Sequence, residues 1–459
     1  MTQTTLLPAV LCLCFAASHA QQPADATPKL SPQGAYEQAS RPLDIIRRAP
    51  QNWSEIELAA LKTATAQAKT ACLASSPQDY AGDDLIAYAR LCAFGQTWQP
   101  VEFAAYKYIQ AKQLAPIKPQ DMRTLATAYD YEIQASLRLQ KPAAAFQASR
   151  VMLATVPYDD LTSEAINSTV NYLQLSDTGE ALALLAQRQP ILLSMLRSRS
   201  APGAPDPPLF PLRALFAEAI ALPSMQQFAN QPDAAAASIA EIEQALPATL
   251  PPDDAISIAE SRRRYRLLGS HLPPIATFSW LLDSSGAGIP PALNSPFGAA
   301  TVLLSFPDWC NQCVALHTAF FPAWKRLRDQ SVRFFALLAQ PEPPPKPAPK
   351  EIPKTAGKAA TADSRPAPFP GEKPGIPHND LQLDVKPTAA ALLAGTPTFA
   401  VPTQTLDQFS AADFPLIIVA DHDGIIRALQ LADDSVLVPG GQIDQLADHV
   451  TRLWPPPKP

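Results

Sequence analysis

Glycine is scarce in this chain, at 16 of 459 residues, about half the roughly 7% usual in globular proteins. Charge is scarce too: Asp, Glu, Lys and Arg make up 17%, against ~25% in an average domain. The net charge is -6, so the basic field that a nucleic-acid binder carries is missing. Beyond the N-terminus no apolar run reaches the ~18 residues of a membrane helix, which excludes a multi-span membrane protein. There is no P-loop, no G-x-S-x-G nucleophile elbow and no peroxidatic cysteine motif with its proline and threonine. What is abundant is proline, with 51 residues, about twice the usual ~5%. Many prolines with few glycines suggest helices punctuated by rigid turns, plus a proline-rich linker. Apolar residues reach 47%, enough for a sizeable core and too many for a wholly disordered chain. The length sets a prior of roughly three domains at ~150 residues each.

The chain opens MTQTTLLPAVLCLCFAASHAQQ. Residues 6–17 form an apolar run of signal-peptide length, too short to span a bilayer. Ser18-His19-Ala20 fits the small-x-small cleavage pattern, so residues 1–20 read as a signal peptide cut after Ala20. The expected location is periplasmic or secreted, with no membrane span once the leader is gone. Cleavage removes Cys12 and Cys14 and leaves Cys72, Cys92, Cys310 and Cys313. An even count in an exported chain suggests pairing. Cys310 and Cys313 form a C-x-x-C. Cys72 and Cys92 lie in neighbouring helical stretches on either side of a polar loop, residues 75–84. A structural disulfide between them is expected, the alternative being two ordinary buried thiols.

Residues 21–50 are polar and proline-bearing and read as a disordered lead-in. Residues 51–266 read as one α-helical domain. Leu58, Leu61, Thr65, Ala68 and Cys72 follow the 3–4 spacing of an amphipathic helix, as do Leu85, Tyr88, Ala89, Cys92 and Ala93. Helical pairs end at Pro116, Pro157 and Pro190, the first two 41 residues apart. These pairs resemble tetratricopeptide-type hairpins without the full signature. Such hairpins stack because one alone cannot bury its apolar face. The stack would offer a protein partner a concave surface; the plain alternative is an irregular helical domain with no partner. Residues 200–209 and 245–254 are proline-rich breaks, and Arg262, Arg263, Arg264 and Arg266 read as a solvated helix face at the domain's edge.

From residue 267 the texture changes to short apolar runs bounded by turns. Strands are expected at 301–306, 332–338, 416–420 and 425–429, the last two joined by Asp421-His422-Asp423-Gly424. Residues 341–380 are dense in Pro, Lys and Ala, cannot bury enough surface to offset their ordering entropy, and read as a disordered insert. The fold class is therefore multidomain: an N-terminal all-α, repeat-like region and a C-terminal α/β domain over 267–459.

The strongest chemical signal is TVLLSFPDWCNQCVALHTAF, a buried-type strand running through Trp309-Cys310-Asn311-Gln312-Cys313 into a helical pattern. A first thiol at a helix N-terminus has its thiolate stabilised by backbone N–H groups and the dipole. The second thiol, one turn on, can close a disulfide. A single C-x-x-C can also be half of a zinc site, but no second cysteine pair exists to complete one. His317, one turn beyond Cys313, reads as a surface or packed histidine, Asp308 as solvated, and His422 as part of a turn.

On this motif, and on the later run Phe414-Pro415, strand, Asp-x-Asp-Gly, strand and final helix over 442–453, the sequence resembles the thioredoxin family. Within that family it is similar to the exported TlpA/ResA-like members, over residues 270–455 minus the insert. The resemblance implies a thioredoxin fold with Cys310 as nucleophile, Cys313 as resolving thiol and Pro415 as the cis-proline beside them. Pro397, in Gly395-Thr396-Pro397-Thr398, competes for that last role, but Pro402 interrupts the run that follows it. The chain departs from the family in its Asn-Gln pair, in Leu304 where thioredoxin has a buried acid, and in lacking the usual helix proline soon after the second cysteine. The implied activity is thiol–disulfide exchange with protein thiols and disulfides and a redox partner, its direction open, with no cofactor. The rival reading is a binding or scaffold protein whose thioredoxin-like part has little catalytic role.

Overall fold

The computed structural model describes residues 30–47, 55–114, 116–199, 210–282, 298–341, 388–410 and 413–457. The leader, residues 1–20, and all of the insert beyond Pro341 lie outside them. The described residues are helical up to Leu267 and build a mixed six-stranded sheet after it. Two compact units divide the chain, Met1–Ala148 and Ser149–Pro459.

The first unit holds α1 (Pro32–Arg47), α2 (Glu55–Leu73), α3 (Asp83–Phe94), α4 (Trp98–Gln113), α5 (Met122–Arg138) and the start of α6 (Pro142–Thr155). The presence of α1 corrects the expectation of a disordered lead-in over 21–50. Its Ala39 and Leu43, one turn apart, are buried, and it packs on α2 and α3. Tyr36 meets Phe94 edge-on at 5.6 Å, and the Arg90 guanidinium lies over the Tyr36 ring. Small buried residues, among them Ala64, Ala68, Ala104 and Ala105, let the helices approach closely. The tightest approach is at Gly95, where a Cβ would sit 2.6 Å from the Lys69 backbone nitrogen. Cys72 of α2 and Cys92 of α3 are joined by a disulfide with Cα atoms 5.1 Å apart, both fully buried. Beside it the Tyr88 hydroxyl donates to the Ser75 carbonyl at 3.0 Å.

The second unit continues with α7 (Asp160–Ser176), α8 (Thr178–Arg199), α9 (Leu212–Ala219), α10 (Ala221–Phe228), α11 (Pro232–Ala245) and α12 (Pro252–Leu267). Pro190 does not end a hairpin: α8 runs through it to Arg199. An interior proline costs ~3 kcal/mol. Buried Leu184, Leu185, Leu192, Leu193 and Leu196 on both sides of it, at about 1.5–3 kcal/mol each, outweigh that. Arg188 is almost fully buried, and both of its terminal nitrogens are engaged. It donates to Asn167 Oδ1 at 2.7 Å and to the Glu218 carbonyl at 3.1 Å, while Tyr158 and Ser163 bond the Glu218 carboxylate.

The sheet has the order β1-β4-β3-β2-β5-β6, formed by β1 (Ser279–Trp280), β2 (Ala300–Pro307), β3 (Val332–Gln340), β4 (Thr398–Pro402), β5 (Leu416–Asp421) and β6 (Ile426–Leu431). β2 is central, parallel to β3 and antiparallel to β5. Every one of its residues is buried, because strands flank it and both faces are covered. β1 and β4 were not among the expected strands. β4 tolerates Pro402 because that residue is its last, where one lost ladder bond matters least. On one face Leu303, Phe335, Leu337, Phe399 and Ile418 share a cluster with Leu272 and Phe409. Three short helices, α13 (Asn311–Val314), α15 (Ala389–Leu392) and α16 (Gln404–Gln408), are spaced along the chain here; the other face carries α14 (His317–Asp329) and α17 (Gln442–Leu453), the latter with Ile443, Leu446, Ala447 and Val450 as its apolar stripe. Arg326 and Asp444 tie these two helices with a two-pronged ion pair at 2.9 and 3.0 Å.

The unit boundary corrects the expected one at 266/267: helices α7 to α12 belong with the sheet. Side chains from three of them reach the α/β part. Gln174 exchanges amide bonds with Gln430 of β6 at 3.2 and 3.3 Å. Phe228 stacks on His449 of α17 at 3.9 Å and accepts from its Nε2 at 2.9 Å. From α12, Arg263 and Arg264 grip Ser410.

Candidate functional site

β2 ends at Pro307, and the chain turns through Asp308 and Trp309 into a one-turn helix, α13 (Asn311–Val314). The Asp308 N–H still donates to Ala339 of β3 at 2.9 Å, which holds the turn to the sheet. Cys310 caps α13, its carbonyl accepting from Val314 N at 3.0 Å. Cys313 lies one turn deeper, 0% exposed, while Cys310 is half-buried. The two are joined as a disulfide, Cα to Cα 5.3 Å. The helix then breaks at Ala315 and Leu316 before α14 begins at His317. Pro322 lies inside α14.

The Phe414–Pro415 peptide bond is cis. The register Ser305 to Leu416 sets this bond at the same end of the sheet as the C-x-x-C. Phe414 meets the Trp309 ring edge-on at 5.8 Å, and Trp309 is 70% exposed. An aromatic ledge thus borders the half-buried sulfur. Pro397 is elsewhere: its carbonyl accepts from Ala336 N, just ahead of β4. Cys310, Cys313 and Pro415 therefore gather at one end of the sheet, while Cys72 and Cys92 belong to the first unit.

The remaining candidates are structural. His317 Nδ1 lies 3.2 Å from the Val314 carbonyl. Asp421, His422 and Asp423 bring potential ligand atoms within 4.8 Å of one another. The Asp421 carboxylate, however, is already engaged by Arg427 at 2.7 Å and by the N–H groups of Asp423 and Ile425 at 3.0 Å. That is the Asx geometry of a turn, and Gly424 at φ +78° completes it.

The arginine cluster at the end of α12 is a solvated face only in part: Arg263 and Arg266 are exposed, yet three of the four arginines are engaged. Arg262 pairs with Glu243, Arg263 donates to Ser410 Oγ at 2.7 Å, and Arg264 donates through Nε and Nη2 to the Ser410 carbonyl at 3.1 and 2.7 Å. The signal available in the sequence was position: four arginines in five residues, at the junction of the helical and strand-bearing texture. Their partner, a lone serine about 146 residues on, carries no signal.

No family model matches the chain, and no curated protein matches it. Two solved structures are similar to part of it, the thioredoxin domain of a thiol-disulfide oxidoreductase from Bacteroides vulgatus and a thiol:disulfide interchange protein from Bacteroides sp.. Each is 15% identical over 40% of this chain, covers 96% and 89% of its own length respectively, and has a TM-score of 0.22. At that score the likeness carries no argument, and the function rests on the site's own geometry. Among the described residues no helix is long and apolar enough to cross a membrane.

Proposed function

We propose that this chain is an exported thiol–disulfide oxidoreductase whose α/β part is a thioredoxin-like domain of the TlpA/ResA-like kind. One observation carries the reading: a half-buried Cys310 opens a helix at the end of the central strand, disulfide-bonded to a fully buried Cys313. In the reduced protein the Cys310 thiolate attacks one sulfur of a partner's disulfide. An S–S bond forms to Cys310, and the other partner sulfur leaves as a thiolate that takes up a proton. The Cys313 thiolate then attacks Cys310 Sγ and releases the second partner thiol. Two electrons and two protons pass to the partner, and Cys310–Cys313 is left oxidised. Run backwards, the same steps oxidise a dithiol. A half-buried cysteine opening a helical turn suits the role, since it is open to a partner and a neighbour one turn deeper resolves the mixed disulfide.

The leader would be cut after Ala20, placing the protein in the periplasm or outside the cell, where a structural Cys72–Cys92 bond persists. The paired helices of the first unit would serve as a tetratricopeptide-like surface that recruits a protein partner. Trapping tests the central claim. A Cys313→Ser variant should accumulate mixed disulfides through Cys310, visible as reducible higher-mass species. If it traps nothing and the reduced wild type reduces no protein disulfide, the scaffold reading replaces this one. Direction follows from the potential of the Cys310–Cys313 pair. A value near thioredoxin's marks a reductase, and one ~100 mV higher marks an oxidant.

A further inference from the structure

Ser410 is buried, and its φ is +48°, the left-handed region that a non-glycine residue seldom adopts. Such a conformation persists only where the surroundings over-determine it. Here the surroundings are two arginines from α12, in a different part of the same unit. Arg264 brings two donors to the Ser410 carbonyl and Arg263 one to its hydroxyl. Ser410 also donates its own N–H to the Asp407 carbonyl at 3.1 Å, so the residue is held on three sides. Four residues later comes Phe414, edge-on to Trp309 beside Cys310. Leu267 and Leu268, at the end of α12, pack into the same cluster as Phe414.

We infer that Arg263 and Arg264 are positioning residues for thiol–disulfide exchange, fixing the turn at Ser410 so that Phe414 and Trp309 present one ledge to an incoming polypeptide. The assignment rests on the oxidoreductase reading. The arginines act through the cluster against which Leu267, Leu268 and Phe414 pack and which holds Phe409, the neighbour of Ser410, and not on the sulfurs. They therefore govern exchange with a protein disulfide, which must lie along the ledge. A small disulfide needs only access to Cys310.

The test uses the full-length mature protein, reduced, in single-turnover reactions with insulin and with dithiobis(nitrobenzoic acid). Arg264→Ala should slow insulin reduction about tenfold, the scale on which charge-assisted hydrogen bonds act. The rate with the small disulfide should stay within about twofold, and the reduction potential of the cysteine pair should not move. Arg263→Ala should have the same pattern with a smaller effect, since it removes one bond and not two. Arg264→Lys keeps the charge but loses the planar pair of donors; it should slow insulin about threefold, and it carries the test if the alanine variant does not fold. Equal slowing of both substrates, a shifted potential, or no slowing of insulin overturns the assignment. Variants as fast as a wild type that reduces both substrates sink this inference alone. A wild type that reduces neither sinks the oxidoreductase reading and this one with it.

Discussion

Two cysteines three residues apart have unlike surroundings, and that difference sets their chemistry. Cys310 is half-buried at the N-terminus of α13, while Cys313 has no exposed surface. In the reduced protein Cys310 should alkylate with iodoacetamide at least about tenfold faster than Cys313, as its better access requires. Mass spectrometry of the native, partly labelled protein reads the order directly, and label appearing first on Cys313 would count against the assignment. His449 gives a second test at this scale. Burial lowers its pKa below the ordinary 6.5; the bond to the Phe228 carbonyl pulls the other way, and Arg452 adds to the lowering. The folded state thus prefers the neutral ring, and the unfolded state binds the proton more readily. His449 therefore contributes stability that is fully present above pH 6.5 and is lost as pH falls below it. The urea midpoint of the wild type should drop between about pH 7 and 5. His449→Phe keeps an aromatic ring against Phe228 and should flatten that dependence.

Between elements, close approach matters more than propensity. The α2–α3 pair is stapled by Cys72–Cys92, closing a loop of 20 residues. Replacing both cysteines by alanine should lower stability by about 3 kcal/mol, a chain-entropy figure. Chemical denaturation followed by circular dichroism measures it; an unchanged midpoint would show that the staple is idle. Gly95 tests the same contact sterically. A Cβ there meets the Lys69 backbone at 2.6 Å, and backbone cannot swing aside as a flexible side chain can. Gly95→Ala should cost about 1–3 kcal/mol, the range for forced overpacking. Gly82→Ala, where no atom lies within 4 Å of the added carbon but φ is +56°, isolates the conformational cost alone.

At the scale of the whole molecule, the helices from α7 to α12 form one body with the sheet. The Gln174–Gln430, Phe228–His449 and Arg264–Ser410 contacts all cross from helices to the α/β part. A fragment of residues 267–459 loses each of them. It should melt roughly 5–10 °C below a fragment of residues 157–459, the shift that a few kcal/mol produce in chains of this size. Equal melting temperatures by calorimetry would show that the α/β part is self-sufficient.

Much of this was legible before any coordinate. Local signals sufficed for most of the helical stretch from Glu55 to Leu267, though not for the run of α8 through Pro190, because apolar residues there recur at 3–4 spacing. They sufficed for β2, β3, β5 and β6, whose apolar runs are bounded by turn chemistry, and for the C-x-x-C, whose strand-to-helix setting is written in consecutive residues. The Asp421 turn was legible for the same reason: its hydrogen bonds span four residues. Beyond local reach, the sequence by itself decided little. β1 and β4 are short, and β4 takes its place from the ladder offered by β3 rather than from its own pattern. α1 is polar with a proline inside, and it is a helix because α2 and α3 cover its Ala39 and Leu43. The place of α7 to α12 beside the sheet, and the meeting of Arg263 and Arg264 with Ser410, join residues well over a hundred positions apart. Such pairings leave no periodic trace. Only tertiary structure decides them, because the free energy of a contact depends on what the rest of the fold brings within hydrogen-bonding distance.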